Sequence, residues 1–183
     1  MRKVRESADI LVDADTLWKE IGDFGSLGRW HPDVSSMTVA DEQGGKARLA
    51  SFKTGGEQLE RLQSVDATRR EYRYSIERSS LPVRDGVGSF RIETPDPQMS
   101  RLVWEVQFAL IEANDERTVD AIRTFLHDGA VRIQTKYRPY ANEEVEGVET
   151  HIADADKETR AGTAHEPVRN TPPAGAWNET SSD

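Results

Sequence analysis

The chain has no cysteine in its 183 residues, which excludes a disulfide framework, a thiolate metal site and a cysteine nucleophile. Its four histidines lack the spacing of metal ligands, and we expect no metal. No apolar run approaches the ~20 residues of a membrane-spanning helix, and none follows the basic residues 1–7 as a signal peptide would require. These absences predict a cytoplasmic protein that is not inserted in a membrane.

Basic residues are outnumbered by acidic ones. Lysine and arginine total 24 against 33 aspartates and glutamates, so the formal net charge is −9. Such a chain repels phosphate backbones, and its basic residues are scattered among acids rather than gathered in a groove. No glycine-rich phosphate loop precedes a helix, and no serine lies in a strand-elbow-helix context. We therefore expect no nucleic-acid partner and no cofactor.

Apolar residues recur at helical spacing near the start of the chain. Leu17, Trp18, Ile21 and Phe24 have the three- and four-residue spacing of a short amphipathic helix. Glycines break this pattern, which restarts at residues 27–30 and then ends at a proline. The stretch predicts two short helices that brace one end of a sheet.

Seven segments have the alternation or the turn spacing of β-strands. The clearest signal is at Tyr72, Tyr74 and Ile76, which alternate with polar or charged neighbours. The predicted strands are residues 4–12, 34–40, 47–52, 57–65, 71–77, 86–93 and 101–110.

A long amphipathic helix follows the strands. From a cap at Asn114-Asp115 to about Tyr137, apolar residues keep helical spacing. A sheet with one apolar face and a long amphipathic helix must bury each against the other. The order of elements predicts an α+β helix-grip fold, in which a curved seven-stranded antiparallel sheet wraps the long C-terminal helix, with two short brace helices and a cavity between sheet and helix. We assign residues 1–138 to this ligand-binding domain.

The composition changes after residue 138. Residues 139–183 are first acidic and then rich in Thr, Pro, Gly, Asn and Ser. Such a segment cannot bury enough apolar surface to offset chain entropy. We predict a disordered tail, which is also a candidate contact for a protein partner.

Several strings resemble the START-like superfamily that includes the birch-pollen allergen and polyketide cyclases. They include Arg-Trp-His-Pro at 29–32, Tyr-Arg-Tyr-Ser-Ile at 72–76 and Ser-Leu-Pro-Val at 80–83, and the resemblance spans residues 3–137. Within the superfamily, the chain is similar to the bacterial branch of polyketide cyclase/dehydrase and lipid-transport proteins. The resemblance implies a helix-grip fold with a cavity, but this fold hosts carriers, hormone receptors and cyclases.

His31 is the first candidate for acid–base chemistry, because an imidazole titrates near neutral pH and a histidine at the cavity rim can exchange protons with a ligand. Alternatively, Trp30 fills core space and His31 hydrogen-bonds the backbone in a helix-to-strand turn. A single histidine with no identifiable partner favours this structural interpretation.

Glu60 is the second candidate. If Leu62 faces the core, period-two alternation places Glu60 and Ser64 on the inner face, where a buried carboxylate needs a partner such as Arg48. In the other register Val65 points inward and Glu60 faces water. The sequence leaves both registers open.

Tyr72 and Tyr74 are expected to point toward the long helix, where a hydroxyl can hold a polar ligand atom or, at Tyr74, donate a proton. Both are equally ordinary as strand residues. Gly129 predicts empty space on the inner face of the helix, because it removes a side chain there. The side chains expected to line the cavity are Trp30, Phe52, Tyr72, Tyr74, Phe90, Trp104, Phe108, Ile122, Phe125, Leu126 and Gly129.

The connections at residues 53–56 and 79–86 are expected to border the entrance as mobile loops, since both contain turn-forming residues. Two functions follow from this arrangement. The first is binding of a small hydrophobic ligand (lipid-, aromatic- or polyketide-like) by a monomer or homodimer. The second is cyclisation or dehydration with His31, Glu60 or Tyr74 as the acid or base, which requires two titratable groups to converge inside the cavity.

Overall fold

The computed structural model describes residues 1–138, so the predicted tail over residues 139–183 lies outside the described residues. The helices are α1 (Ala14–Ile21), a 3₁₀ turn (Phe24–Ser26), α2 (Leu27–Trp30) and α3 (Glu116–Lys136). The strands are β1 (Arg2–Ile10), β2 (Val34–Glu42), β3 (Gly45–Phe52), β4 (Glu57–Asp66), β5 (Glu71–Ser79), β6 (Val83–Asp96) and β7 (Met99–Leu110).

The strands form a single antiparallel sheet in the order β1-β7-β6-β5-β4-β3-β2. Every neighbouring pair except β1 and β7 is consecutive along the chain, so the sheet is a meander that β1 joins at its end. This curved sheet, the long α3 and the two short helices confirm the predicted α+β helix-grip fold. In the part of the chain that the structure describes, no helix has the length and apolar character needed to cross a membrane.

Side-chain caps begin the two longer helices. The Asp13 carboxylate accepts the backbone N–H of Thr16 at 2.8 Å, and that of Asp115 accepts the backbone N–H of Thr118 at 3.2 Å. In α3, Val119, Leu126 and Ile133 are buried at seven-residue spacing, which is two turns of one face. The predicted helical stripe is therefore the face that packs on the sheet.

Some strand boundaries differ from the predicted ones, because pairing with the neighbouring strand determines where a strand begins and ends. β1 begins at Arg2 and ends at Ile10, because its partner β7 runs only from Met99 and pairs Ile10 with Ser100. β5 and β6 are longer than predicted, so the connection between them is residues 80–82 rather than 79–86. The predicted bounds of this connection are therefore wrong.

His31, which caps the end of α2, joins the brace (α1, the 3₁₀ turn and α2) to the long helix α3. Its Nδ1 accepts the backbone N–H of Asp33 at 3.1 Å, so Nε2 carries the hydrogen and donates to the carbonyl of Phe125 at 2.9 Å. The imidazole also stacks on the Phe125 ring with centroids 3.9 Å apart. Both ring nitrogens are therefore occupied in the neutral form, as the structural interpretation of this histidine requires.

The space beside Gly129 is filled, and the expectation of a void there is wrong. A Cβ atom at this position would lie 2.7 Å from His31 Cδ2 and 3.2 Å from Trp104 Cζ3. The missing side chain lets the imidazole and the indole press against the backbone of α3. Gly129 is thus a site of close packing between helix, brace and sheet.

His31 predicts a pH dependence of stability. Burial lowers its pKa from 6.5 to about 4, so the unfolded chain binds more protons than the folded chain between these values. The contribution of neutral His31 to the free energy of unfolding is complete above pH 6.5 and is lost as the pH falls to about 4. This loss is about 3 kcal/mol at most. Urea denaturation across this window should show a shallower pH slope for His31→Gln than for the wild type. Other titrating groups contribute equally to both proteins, so equal slopes would contradict the assignment.

Gly129→Ala should destabilise the domain by roughly 1–3 kcal/mol through overpacking, although alanine normally favours a helix interior over glycine by ~1 kcal/mol. The contact with His31 supplies the test. In a His31→Ala background, where the imidazole is gone, the same Gly129→Ala change should cost less. Denaturant unfolding of the four proteins gives the coupling free energy, and additive effects would show that the two residues do not press on each other.

Candidate functional site

A cavity of about 300 Å³ lies between the N-terminal half of α3 and the inner face of the sheet. Its volume is at the low end of the range for small-molecule pockets. Of the predicted site residues, the structure brings together on its wall Phe52, Glu60, Tyr74, Trp104, Phe108, Ile122, Phe125 and Leu126. The wall is therefore aromatic and aliphatic, with few polar groups.

Three polar residues of the cavity wall, Gln58, Glu60 and Tyr74, lie on β4 and β5. Glu60 is only 3% exposed, which settles the register left open by the sequence, and Val65 faces water. The pairing of β4 with β5 shifts between Leu62 and Ser64, so Ser64 is exposed although it lies an even number of positions from Glu60. Gln58 Nε2 donates to Glu60 Oε1 at 2.6 Å, and both side chains reach the cavity.

Behind Glu60 lies Arg48, which is completely buried and does not line the cavity. Its Nε donates to Glu60 Oε2, and its Nη1 donates to the carbonyl of Phe24 at 2.6 Å. The guanidinium carbon lies 4.2 Å above the centre of the Phe24 ring and 5.2 Å from that of Tyr74. The negative charge of Glu60 is thus compensated by Arg48, which lies in the core and not on the cavity wall.

Tyr74 presents a hydroxyl with its proton available. The indole N–H of Trp104 donates to the Tyr74 oxygen at 2.9 Å, which occupies the hydroxyl as an acceptor. Burial raises the pKa of Tyr74 well above its ordinary value, so the group stays protonated. Its O–H can therefore donate into the cavity.

Gly88 on β6 makes this position of the tyrosine possible. Tyr74 and Gly88 are paired residues across β5 and β6, and a Cβ at Gly88 would lie 2.1 Å from Tyr74 Cζ. The ring thus lies flat over the neighbouring strand instead of standing away from it. Because glycine in a strand interior marks a close approach, the two glycines at 86 and 88 were a usable sequence signal for this site.

Five of the predicted ligand or catalytic residues do not reach the cavity: Trp30, His31, Tyr72, Phe90 and Gly129. The aromatic ones form a packed layer at its inner end. Tyr72 stacks on Phe90 with centroids 5.0 Å apart, and Trp30 lies 6.0 Å from Phe90 and 5.8 Å from Trp104. These residues are core, so the cavity occupies only part of the space between sheet and helix.

The mouth of the cavity is formed by exposed residues of two connections and of α3. Thr54 and Gly55 follow β3, Ser80 follows β5, and Thr124 belongs to α3. The two connections are tied together, because the backbone N–H of Glu57 donates to Ser80 Oγ at 3.1 Å. Both predicted entrance segments therefore do border the cavity.

Some wall residues have no individual signal in the sequence. Asp33, Leu81 and Val83 lie at or near turns, and only the tertiary fold brings them to the cavity. Gln58 is different, since it is two positions from Glu60 and shares its face by simple alternation. In the described residues 1–138, no group of His, Asp and Glu side chains is arranged to hold a metal ion.

The Arg48–Glu60 pair predicts a strongly coupled mutational response. Arg48→Met alone leaves a carboxylate without its cation, and Glu60→Gln alone leaves a buried guanidinium without its anion, so each should cost about 3–5 kcal/mol. The double variant removes both charges and should cost clearly less than the sum. Denaturant unfolding of the four proteins measures the coupling, and additive losses would show that the two charges do not stabilise each other.

The comparisons with known proteins agree with this geometry. Residues 1–138 match the profile of the family described as polyketide cyclase / dehydrase and lipid transport. No curated protein matches the chain in sequence. Among solved structures, the protein XoxI from Bacillus cereus is 26% identical with a TM-score of 0.69, and the match covers 75% of this chain and 96% of that one.

Two further structures are more distant in sequence. The Zhui aromatase/cyclase from Streptomyces sp. R1128 is 18% identical with a TM-score of 0.59, covering 73% of this chain and 89% of its own. A START superfamily protein from Mycobacterium smegmatis is 13% identical with a TM-score of 0.59, covering 74% of this chain and 96% of its own. At these identities the likeness shows the fold alone. Together with the profile match over residues 1–138, the fold establishes that the chain belongs to the polyketide cyclase / dehydrase and lipid transport family.

Proposed function

We propose that the chain binds a small hydrophobic molecule, lipid-, aromatic- or polyketide-like, in the cavity between α3 and the sheet. The observation that carries this proposal is the cavity itself, which has apolar walls and a polar group of Gln58, Glu60 and Tyr74. Burial of apolar ligand surface supplies roughly 25 cal/mol per Å² before the costs of association. The polar groups then orient the bound molecule.

Family membership is compatible with a second function, cyclisation or dehydration by acid–base catalysis, but the site geometry supports binding better. His31 uses both ring nitrogens to hold the fold, and its pKa near 4 keeps it neutral. Both oxygens of Glu60 already accept hydrogen bonds, from Arg48 and Gln58. Tyr74 keeps its proton, and the Glu60 carboxylate is held in a buried ion pair with Arg48, which is a structural role for that carboxylate.

We further propose that the protein works in the cytoplasm as a monomer or homodimer, and that its partner is the small ligand rather than a nucleic acid. The acidic composition supports the last part of this proposal, because a net charge of −9 opposes association with the phosphate backbones of nucleic acids.

Binding can be tested with N-phenyl-1-naphthylamine, an uncharged dye with a naphthyl and a phenyl group, whose fluorescence rises in apolar surroundings. Ile122 lies on the cavity wall, so Ile122→Trp should fill the space and weaken dye binding at least tenfold. Val65, which is 60% exposed near the end of β4 and does not line the cavity, provides the matched control Val65→Trp. Fluorescence titrations of the three proteins give the dissociation constants.

Dye binding that is saturable in the wild type, retained in Val65→Trp and lost in Ile122→Trp supports the proposal. Equal binding by all three proteins would place the dye elsewhere and count against the cavity. Native mass spectrometry of the freshly purified protein, followed by organic extraction, would then identify the class of any molecule that is retained.

A further inference from the structure

We propose that the cavity selects ligands that carry an uncharged hydroxyl group, and that it rejects ligands that carry a carboxylate. This inference rests on the proposed binding function and specifies the chemistry of the ligand. The hydroxyl would donate to Glu60 and accept from Tyr74, while the rest of the molecule fills the apolar part of the cavity.

The first step in the argument is the charge of the wall. Two acidic residues, Asp33 and Glu60, line the cavity, whereas no lysine, arginine or histidine of residues 1–138 does so. Arg48 compensates Glu60 without lining the cavity, since its Nε donates to Glu60 and its Nη1 to the Phe24 carbonyl. A ligand carboxylate would therefore meet carboxylate oxygens without any cation facing it, and its desolvation would remain uncompensated.

The second step is the free hydrogen-bonding capacity at the polar end. Each Glu60 oxygen accepts one hydrogen bond, Oε2 from Arg48 and Oε1 from Gln58, and a carboxylate oxygen can accept two. Tyr74 accepts the indole N–H of Trp104, so its own O–H remains to be donated. The wall thus offers acceptors on one residue and a donor on the other.

The third step is the position of these two groups. β4 and β5 pair Glu60 with Ile76 and Leu62 with Tyr74, so Glu60 and Tyr74 are diagonal neighbours whose side chains both line the cavity. Within the described residues no hydrogen bond joins them directly. A group that both donates and accepts can bridge them, and a hydroxyl is the smallest organic group that does so.

A ligand ammonium would satisfy the acceptors but not the Tyr74 donor. Moreover, Arg48 already neutralises Glu60, so an ammonium placed beside Glu60 and Tyr74 would find no unpaired charge there to offset its desolvation. The small cavity, about 300 Å³, favours a compact two-ring molecule over a two-chain lipid.

The experiment compares three matched probes on the full chain at pH 7 by isothermal titration calorimetry: 2-naphthol, 2-methoxynaphthalene and 2-naphthoate. They share a ring system and differ in one substituent. A hydrogen bond to a charged acceptor predicts that 2-naphthol binds about tenfold more tightly than 2-methoxynaphthalene. The naphthoate should bind at least tenfold more weakly than the naphthol.

The variant Arg48→Met with Glu60→Gln removes both charges together, and in it the preference for 2-naphthol should fall below about threefold. Its matched control is Glu57→Gln, which changes an exposed carboxylate at the start of the same strand and should keep the wild-type preference. Because the wild-type series stands without any variant, a folding failure of the double variant does not leave the proposal untested.

Equal affinities for 2-naphthol and 2-methoxynaphthalene, or tightest binding of the naphthoate, would overturn the selectivity. So would failure of all three probes on a protein that binds N-phenyl-1-naphthylamine in the cavity. Failure of the dye as well would instead remove the proposed function, so the two failures are distinguishable.

Discussion

The buried ion pair of Arg48 and Glu60 connects the parts of the domain that create the site. Arg48 donates a hydrogen bond to the carbonyl of Phe24 in the brace, and Glu60 accepts one from the side-chain amide of Gln58. The amide oxygen of Gln58 in turn accepts the hydroxyl of Ser79 at the end of β5. Ser79 in turn accepts the backbone N–H of Leu81 at the mouth. One polar chain therefore runs from the brace, through β3, β4 and β5, to the entrance, because buried polar groups are costly unless they are hydrogen-bonded.

The remaining interior is divided in two by aromatic side chains. On one side, Trp30, Tyr72 and Phe90 are packed together with the brace, and His31 presses against Gly129. On the other side, the indole N–H of Trp104 donates to the Tyr74 hydroxyl, and both residues line the cavity. The size of the cavity is thus set by where the aromatic layer ends, rather than by the length of α3 or of the sheet.

Alternation and helical spacing were sufficient to predict the fold, since each strand and α3 carries its pattern in consecutive residues. The register of Glu60 was not predictable, because it depends on a pairing shift between Leu62 and Ser64 that only the neighbouring strand imposes. Gly129 misled for a similar reason: a missing side chain signals either a void or a close approach, and the distant His31 decides which. The cavity wall was predicted in part, because core and wall residues have the same apolar character.

The short connection between β5 and β6 has a consequence for the speed of exchange. Only three residues, 80–82, connect the two strands. The hydroxyl of Ser80 also accepts the backbone N–H of Glu57 on the opposite side of the mouth. A connection this short cannot swing as a lid, so a ligand of the proposed kind would pass between side chains such as Phe52 and Phe125, which line the cavity and are only half-buried. Exposed side chains rotate within picoseconds to nanoseconds, but Phe125 is stacked on His31 with ring centroids 3.9 Å apart and must break that contact to rotate. The packing of this one ring against the brace would then set the speed at which the cavity fills and empties.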